Sequence, residues 1–115
     1  SLHGHKFFAE ITLSGNKLDK YGFVLDFGIA KKAIKDFVDV NWDHATICHP
    51  FDYKLQKFVK DEGDRYYIMP KGETPSAESI AKILYNICLD HPLIGDLIKS
   101  VQVWETPDNS AIYSL

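Results

Sequence analysis

Polar and apolar residues alternate at the start of the chain, then give way to apolar spacings of three and four, and these changes of period divide the sequence into elements. Lys6-Phe7-Phe8-Ala9-Glu10-Ile11-Thr12-Leu13 reads as a strand running from about Gly4 to Leu13. Phe7, Ala9, Ile11 and Leu13 share one face with His3 and His5, while Lys6, Phe8, Glu10 and Thr12 point the other way. Ser14-Gly15-Asn16 and Asp19-Lys20-Tyr21-Gly22 punctuate a turn, and Phe23-Val24-Leu25 is expected as a short partner strand. Asp26 then stands as the N-cap of an amphipathic helix whose apolar positions are Phe27, Ala30, Ala33, Ile34, Phe37 and Val38, with Lys31, Lys32, Lys35 and Asp36 outward, and which ends near Val40. The next stretch, Asn41 to Pro50, reads as a polar loop carrying His44 and His49.

The pattern is weaker between Phe51 and Glu73. Tyr53 to Val59 fits either a short helical turn or an irregular excursion, and Arg65-Tyr66-Tyr67-Ile68-Met69 fits a strand ending at Pro70. Thr74-Pro75 is a helix start, with Thr at the N-cap and Pro at the first helical position. The apolar stripe Ile80, Ile83, Leu84, Ile87 and Cys88 stops before Pro92. Ser100 to Thr106 and Ala111 to Tyr113 are expected as two strands joined by the turn Pro107-Asp108-Asn109-Ser110. The order β-β-α-(β)-α-β-β describes an α+β sandwich with helices on one face of an antiparallel sheet.

Composition narrows the function classes. A chain of 115 residues is one domain, residues 1–115, with room for a single core. A net charge of -3 supplies no basic stripe to neutralise phosphates, which argues against nucleic acid as partner. No apolar run approaches the length of a membrane span. The two cysteines, Cys48 and Cys88, form no CxxC, so a reducing cytoplasm is the expected compartment.

Four clusters are candidates for chemistry. His3-Gly4-His5 places two imidazoles on one face of an extended segment, roughly 6.5–7 Å apart along the chain, where both can converge on one metal ion. Two donors are not yet a site, because catalytic zinc takes three protein ligands and leaves one position open. Asp43-His44 pairs a carboxylate with an imidazole that could act as a base or proton relay, provided a tight turn lets adjacent residues face each other; otherwise it is a solvated loop. Glu105 ends an otherwise apolar strand beside Trp104. It could hold an amidine-like ligand edge through two hydrogen bonds, or be a charge that protects a sheet edge. Ser76-Ala77-Glu78 occupies the first turn of the second helix, suited to a polar or anionic ligand and equally to an ordinary helix start. Cys88 lies on the apolar stripe and reads as core, Cys48 is undecided, and His49 and His91, each before a proline, read as loop residues.

The order Leu2-His3-Gly4-His5, Gly22-Phe23-Val24-Leu25-Asp26-Phe27-Gly28, Asp43-His44, Thr74-Pro75-Ser76-Ala77-Glu78, Trp104-Glu105-Thr106-Pro107 and Ala111-Ile112-Tyr113 resembles the 6-pyruvoyltetrahydropterin synthase / 6-carboxytetrahydropterin synthase family over nearly the whole chain. The resemblance implies a tunnelling (T-) fold, a four-stranded antiparallel sheet with two helices on one face, the first strand of the family absent from this chain. It also implies a homohexamer built as a dimer of trimers. The implied activity is a zinc-dependent lyase acting on 7,8-dihydroneopterin triphosphate with loss of triphosphate. His3 and His5 match two of three zinc-binding histidines, the third being expected upstream of Ser1. Asp43 and His44 match an acid–histidine proton relay; Glu105 matches the glutamate that anchors the pterin and in some members joins the relay; Ser76 and Glu78 match the helix start that lines the pterin pocket. Many members use as base a cysteine a few residues before Leu-His-Gly-His, a position that neither Cys48 nor Cys88 matches. The alternatives are a non-catalytic pterin- or purine-binding oligomer of the same fold, and an unrelated α+β metal-binding domain.

Overall fold

Val101 and Val103 alternate with Ser100 and Gln102 in the longest strand among the described residues, and this strand becomes the centre of the main sheet. The computed structural model describes residues 6–18, 20, 22 and 24–115. Among them the elements follow in the order β1 (Phe8–Leu13), α1 (Phe27–Asn41), β2 (Thr46–Cys48), α2 (Tyr53–Asp61), β3 (Tyr66–Ile68), α3 (Ala77–Asp90), β4 (Ile98–Thr106) and β5 (Asn109–Tyr113). The antiparallel sheet has the order β1-β4-β5. Ile11 lies opposite Val101 and Ala9 opposite Val103, while Tyr113 and Ala111 flank the same two valines from the other side. These six side chains form one face by strand parity.

That face is covered by α3. Ala77, Ile80, Ala81, Leu84 and Tyr85 pack with the fully buried Val101 and Val103, and Ile34 and Val38 of α1 close over the same cluster. Two long helices on one face of an antiparallel sheet match the tunnelling-fold expectation. At the far end of α3 the chain turns back so tightly that any side chain at Gly95 would collide with the carbonyl oxygen of Leu89. None of the helices of the described residues is long and apolar enough to cross a membrane.

The segment expected to be loop and irregular chain folds as a β-α-β unit. β2 and β3 pair in parallel, Thr46 beside Tyr66 and Cys48 beside Ile68, with α2 as the crossover that parallel pairing requires. Cys48, Val59 and Met69 of this segment are each almost wholly buried. Asp52 caps α2 by accepting from the Leu55 N–H at 3.2 Å. Helical spacing was hard to see here because this nine-residue helix buries only Val59 completely and is otherwise lined with lysines and exposed aromatics.

Two expectations about elements are corrected. Val24 and Leu25 form a bend and not a strand, Phe23 lying outside the described residues. Val24 is half-buried because it covers Gly15 beside Leu97, and packing of this kind is indistinguishable from a short strand by hydrophobicity alone. The helix after Pro70 starts two residues later than Thr74-Pro75 suggests. Ser76 is its N-cap, accepting from the Ser79 N–H at 3.3 Å, and Thr74 instead donates its hydroxyl to Ser76 Oγ at 3.1 Å.

Candidate functional site

Glu105 reaches its position through an irregularity in the sheet. Trp104 pairs with Ser110 and Thr106 with Asn109, so two steps on β4 face one step on β5 and Glu105 is left as the extra residue. Such a bulge re-aims the side chain it contains. The turn that follows is held by Thr106 Oγ1, which accepts from the N–H groups of Asp108 at 3.3 Å and Asn109 at 3.1 Å. Together they form a recess of about 390 Å³ whose walls are Ala77, Glu78, Glu105, Asp108, Asn109 and Ser110. That volume falls within the range of small-molecule sites.

The recess opens at the N-terminus of α3, so three carboxylates share a small space with the positive end of a helix dipole. The three acids favour a ligand edge rich in N–H donors. Ser76 is one residue outside the wall and fixes the helix start by its cap. Behind it, Glu73 accepts from the Ser79 hydroxyl and from Lys82 Nζ, both at 2.7 Å, tying the preceding loop to the first turns of α3.

Asp43 and His44 lie in the turn that closes α1. Both Trp42 and Asp43 donate their N–H to Val38 O, at 2.9 and 2.8 Å, and Ala45 N–H donates to Trp42 O at 3.0 Å. Within that turn His44 has φ 54°, the one non-glycine residue with positive φ among the described residues. The left-handed backbone lets neighbouring side chains face each other, with His44 Nε2 3.8 Å from Asp43 Oδ1. That is an ion-pair separation and longer than a hydrogen bond. Both side chains are open to solvent, and neither belongs to the walls of the Glu105 recess.

Arg65 joins the same turn, a residue that the hydrophobic pattern does not mark. Its Nη1 donates to Asp43 O at 2.7 Å, and its Nη2 donates to Val40 O at 2.7 Å and Asp39 O at 2.9 Å. The signal available in sequence was slight: Arg65 is the sole arginine in the chain. Phe37, Trp42 and Tyr67 stack edge to face around the same corner, their centroids 4.9 to 6.1 Å apart.

His3 and His5 lie outside the described residues. Among the described residues no three His, Cys, Asp or Glu side chains are grouped as metal donors. Cys48 and Cys88 are free and buried, and burial pushes both thiols above their ordinary range, Cys88 up to about 11. Neither is poised as a nucleophile.

A family model described as 6-pyruvoyl tetrahydropterin synthase matches residues 1–115. Similar proteins include a 6-carboxy-5,6,7,8-tetrahydropterin synthase of Rickettsia felis, 34% identical over 110 residues that cover 93% of this chain and 78% of that one. The enzyme of the same name from Rickettsia typhi is 37% identical over 108 residues, 91% of this chain and 77% of its own. That of Aquifex aeolicus is 30% identical over 121 residues, 98% and 74% respectively. Among solved structures, an uncharacterized protein from Wolinella succinogenes superposes with a TM-score of 0.78 at 22% identity, covering 99% of this chain and 79% of that one. At that identity the likeness speaks for the fold alone.

Proposed function

The chain belongs to the 6-pyruvoyl tetrahydropterin synthase family, and from that premise we propose that it is a lyase converting 7,8-dihydroneopterin triphosphate into a 6-substituted tetrahydropterin with loss of triphosphate. The observation that carries this reading is the bulge that turns Glu105 into a recess at the start of α3, opposite Glu78. A 2-amino-4-oxopyrimidine edge presents an amino group and a ring N–H side by side, which one carboxylate can accept as a pair of hydrogen bonds. Glu105 is the anchor in this reading, and Glu78 with the Ser76 cap shapes the wall beside it. The names of the relatives favour the 6-carboxy product over the 6-pyruvoyl one, and for that product the two outer carbons of the substrate side chain must leave as a two-carbon aldehyde besides the triphosphate.

Asp43 and His44 are the proton-transfer pair. The carboxylate stabilises the imidazolium that forms when His44 takes a proton, and the exposed position of both leaves them open to a substrate or to a second copy of the chain. Since neither lines the Glu105 recess, relay and anchor meet most simply across an interface between copies, in keeping with a homohexamer.

His3 and His5 are the proposed metal donors. Two imidazoles spaced i, i+2 are chemically suited to zinc, to which a third ligand must be added. A bound zinc would supply Lewis acidity to the hydroxyls of the substrate side chain. The two free thiols fit a reducing, cytoplasmic setting.

The test is turnover with 7,8-dihydroneopterin triphosphate, following released triphosphate and the pterin product, alongside metal content by mass spectrometry. His3→Ala and His5→Ala are expected to lose metal and turnover together. Pterin binding without triphosphate release would instead make the protein a binding module. A metal-free protein with full turnover would remove zinc from the reading.

A further inference from the structure

His44 occupies a backbone conformation that a non-glycine residue adopts only when its surroundings enforce it. The Ala45 N–H bond to Trp42 O closes the turn around it, and one side chain grips that turn from outside. On the N-terminal side of His44, Arg65 Nη1 grips the carbonyl of Asp43, which belongs to the peptide unit joining Asp43 to His44. On the C-terminal side, the backbone carbonyl of Arg65 accepts from the N–H of Thr46 at 3.0 Å. The second guanidinium nitrogen reaches Val40 O and Asp39 O, carbonyls of the last turn of α1 that have no partner within the helix.

We infer that Arg65 is the positioning residue of the Asp43–His44 pair, bracketing His44 so that its imidazole is held toward the Asp43 carboxylate. This rests on the reading of that pair as the proton relay. The geometry distinguishes the arrangement from an ordinary helix cap. A cap needs only the Asp39 and Val40 carbonyls, whereas the bond to Asp43 O fixes a peptide plane next to the left-handed residue. The guanidinium is suited to this because its planar fork spans several acceptors at once, which a lysine ammonium cannot do in one geometry. The β-α-β unit acquires a purpose as well. It delivers Arg65 at the head of β3 while β2 leaves directly from the relay turn, so both ends of the bracket lie within one β-α-β unit.

The experiment compares Arg65→Lys and Arg65→Ala with Ile94→Ala, which removes an almost wholly buried side chain from the turn after α3, outside both the relay turn and the β-α-β unit. Each variant is measured for kcat and KM on the triphosphate substrate, for melting temperature and for the His44 imidazole resonances by NMR. Both Arg65 variants are expected to lower kcat roughly tenfold to a hundredfold with KM little changed, as misplacement of a reacting group does. The His44 resonances are expected to move, and added guanidinium to restore part of the turnover of Arg65→Ala. Ile94→Ala is expected to melt earlier and keep its kcat. Unchanged His44 resonances in the Arg65 variants, or a loss of kcat in proportion to melting temperature that Ile94→Ala shows as well, overturns the inference. His44→Ala separates the two readings. If it retains turnover the relay itself is wrong, and the resonances alone then decide whether Arg65 positions His44.

Discussion

The hydroxyl of Ser79 donates to Glu73 Oε2 at 2.7 Å, joining a buried helix residue to a carboxylate in the loop before that helix. Lys82 donates to the other oxygen, so Glu73 is gripped from two successive turns of α3. The bond is the pivot on which the start of α3, and with it the Glu78 wall of the recess, is set.

Glu73 therefore carries a pH dependence. The Lys82 hydrogen bond, followed by that from Ser79, holds its carboxyl below the usual glutamate range. A group whose folded-state value is depressed contributes stability that is present above its unfolded value and lost as pH falls through the folded one. Glu73→Gln is expected to cost about 1 kcal/mol near neutral pH, the half-exposed Lys82 being screened by solvent. The gap to the unsubstituted protein is expected to close in acid below the glutamate range, as read by urea unfolding at a series of pH values.

Glu105 tests the anchor. Glu105→Gln keeps the shape and removes the charge, and it is expected to weaken binding of a pterin about tenfold or more, since hydrogen bonds to a charged group are worth roughly 1.5–3 kcal/mol. Quenching of pterin fluorescence measures this without turnover. Because Glu105 is exposed at a bulge, the melting temperature is expected to stay where it was.

The thiols offer a check on burial. Cys48 and Cys88 are inaccessible in the folded chain, so a thiol reagent at pH 8 is expected to leave both unmodified until denaturant is added. Burial raises Cys88 to about 11. Its protonated form thus adds stability below the ordinary thiol value near 9, and that stability is lost as pH rises toward 11.

Leu84 measures the core. It is 2% exposed and sits between α3 and the valines of β4. Leu84→Ala is expected to cost about 2–5 kcal/mol. Phe58→Ala, on the open side of α2, is expected to stay within about 0.5 kcal/mol. Chemical denaturation of the two variants makes the comparison.

Much of the framework was legible because one-sided burial leaves a period in the sequence. The stripe Ile80, Leu84, Cys88 announced α3, the alternation around Val101 and Val103 announced β4, and Asp26 marked the start of α1, where its side chain accepts from the Gly28 N–H at 2.7 Å. The β-α-β unit was not legible, since its strands are three residues long and its helix presents one fully buried side chain. Val24 misled for the converse reason, because covering a turn buries an apolar side chain as well as a sheet does.

For the site, residue types and order were visible in the sequence: Asp43 beside His44, Glu105 after Trp104, and Glu78 in a first helical turn. Chain order cannot say which of these meet, because that depends on contacts between elements far apart along the chain. Tertiary structure brought Glu105 to Glu78 through a bulge, kept Asp43 and His44 out of that recess, and enlisted Arg65 from 22 residues beyond Asp43 to hold the Asp43–His44 turn. Local pattern is written by burial on one side of a helix or strand; the partners of a backbone carbonyl are chosen only once those elements have packed.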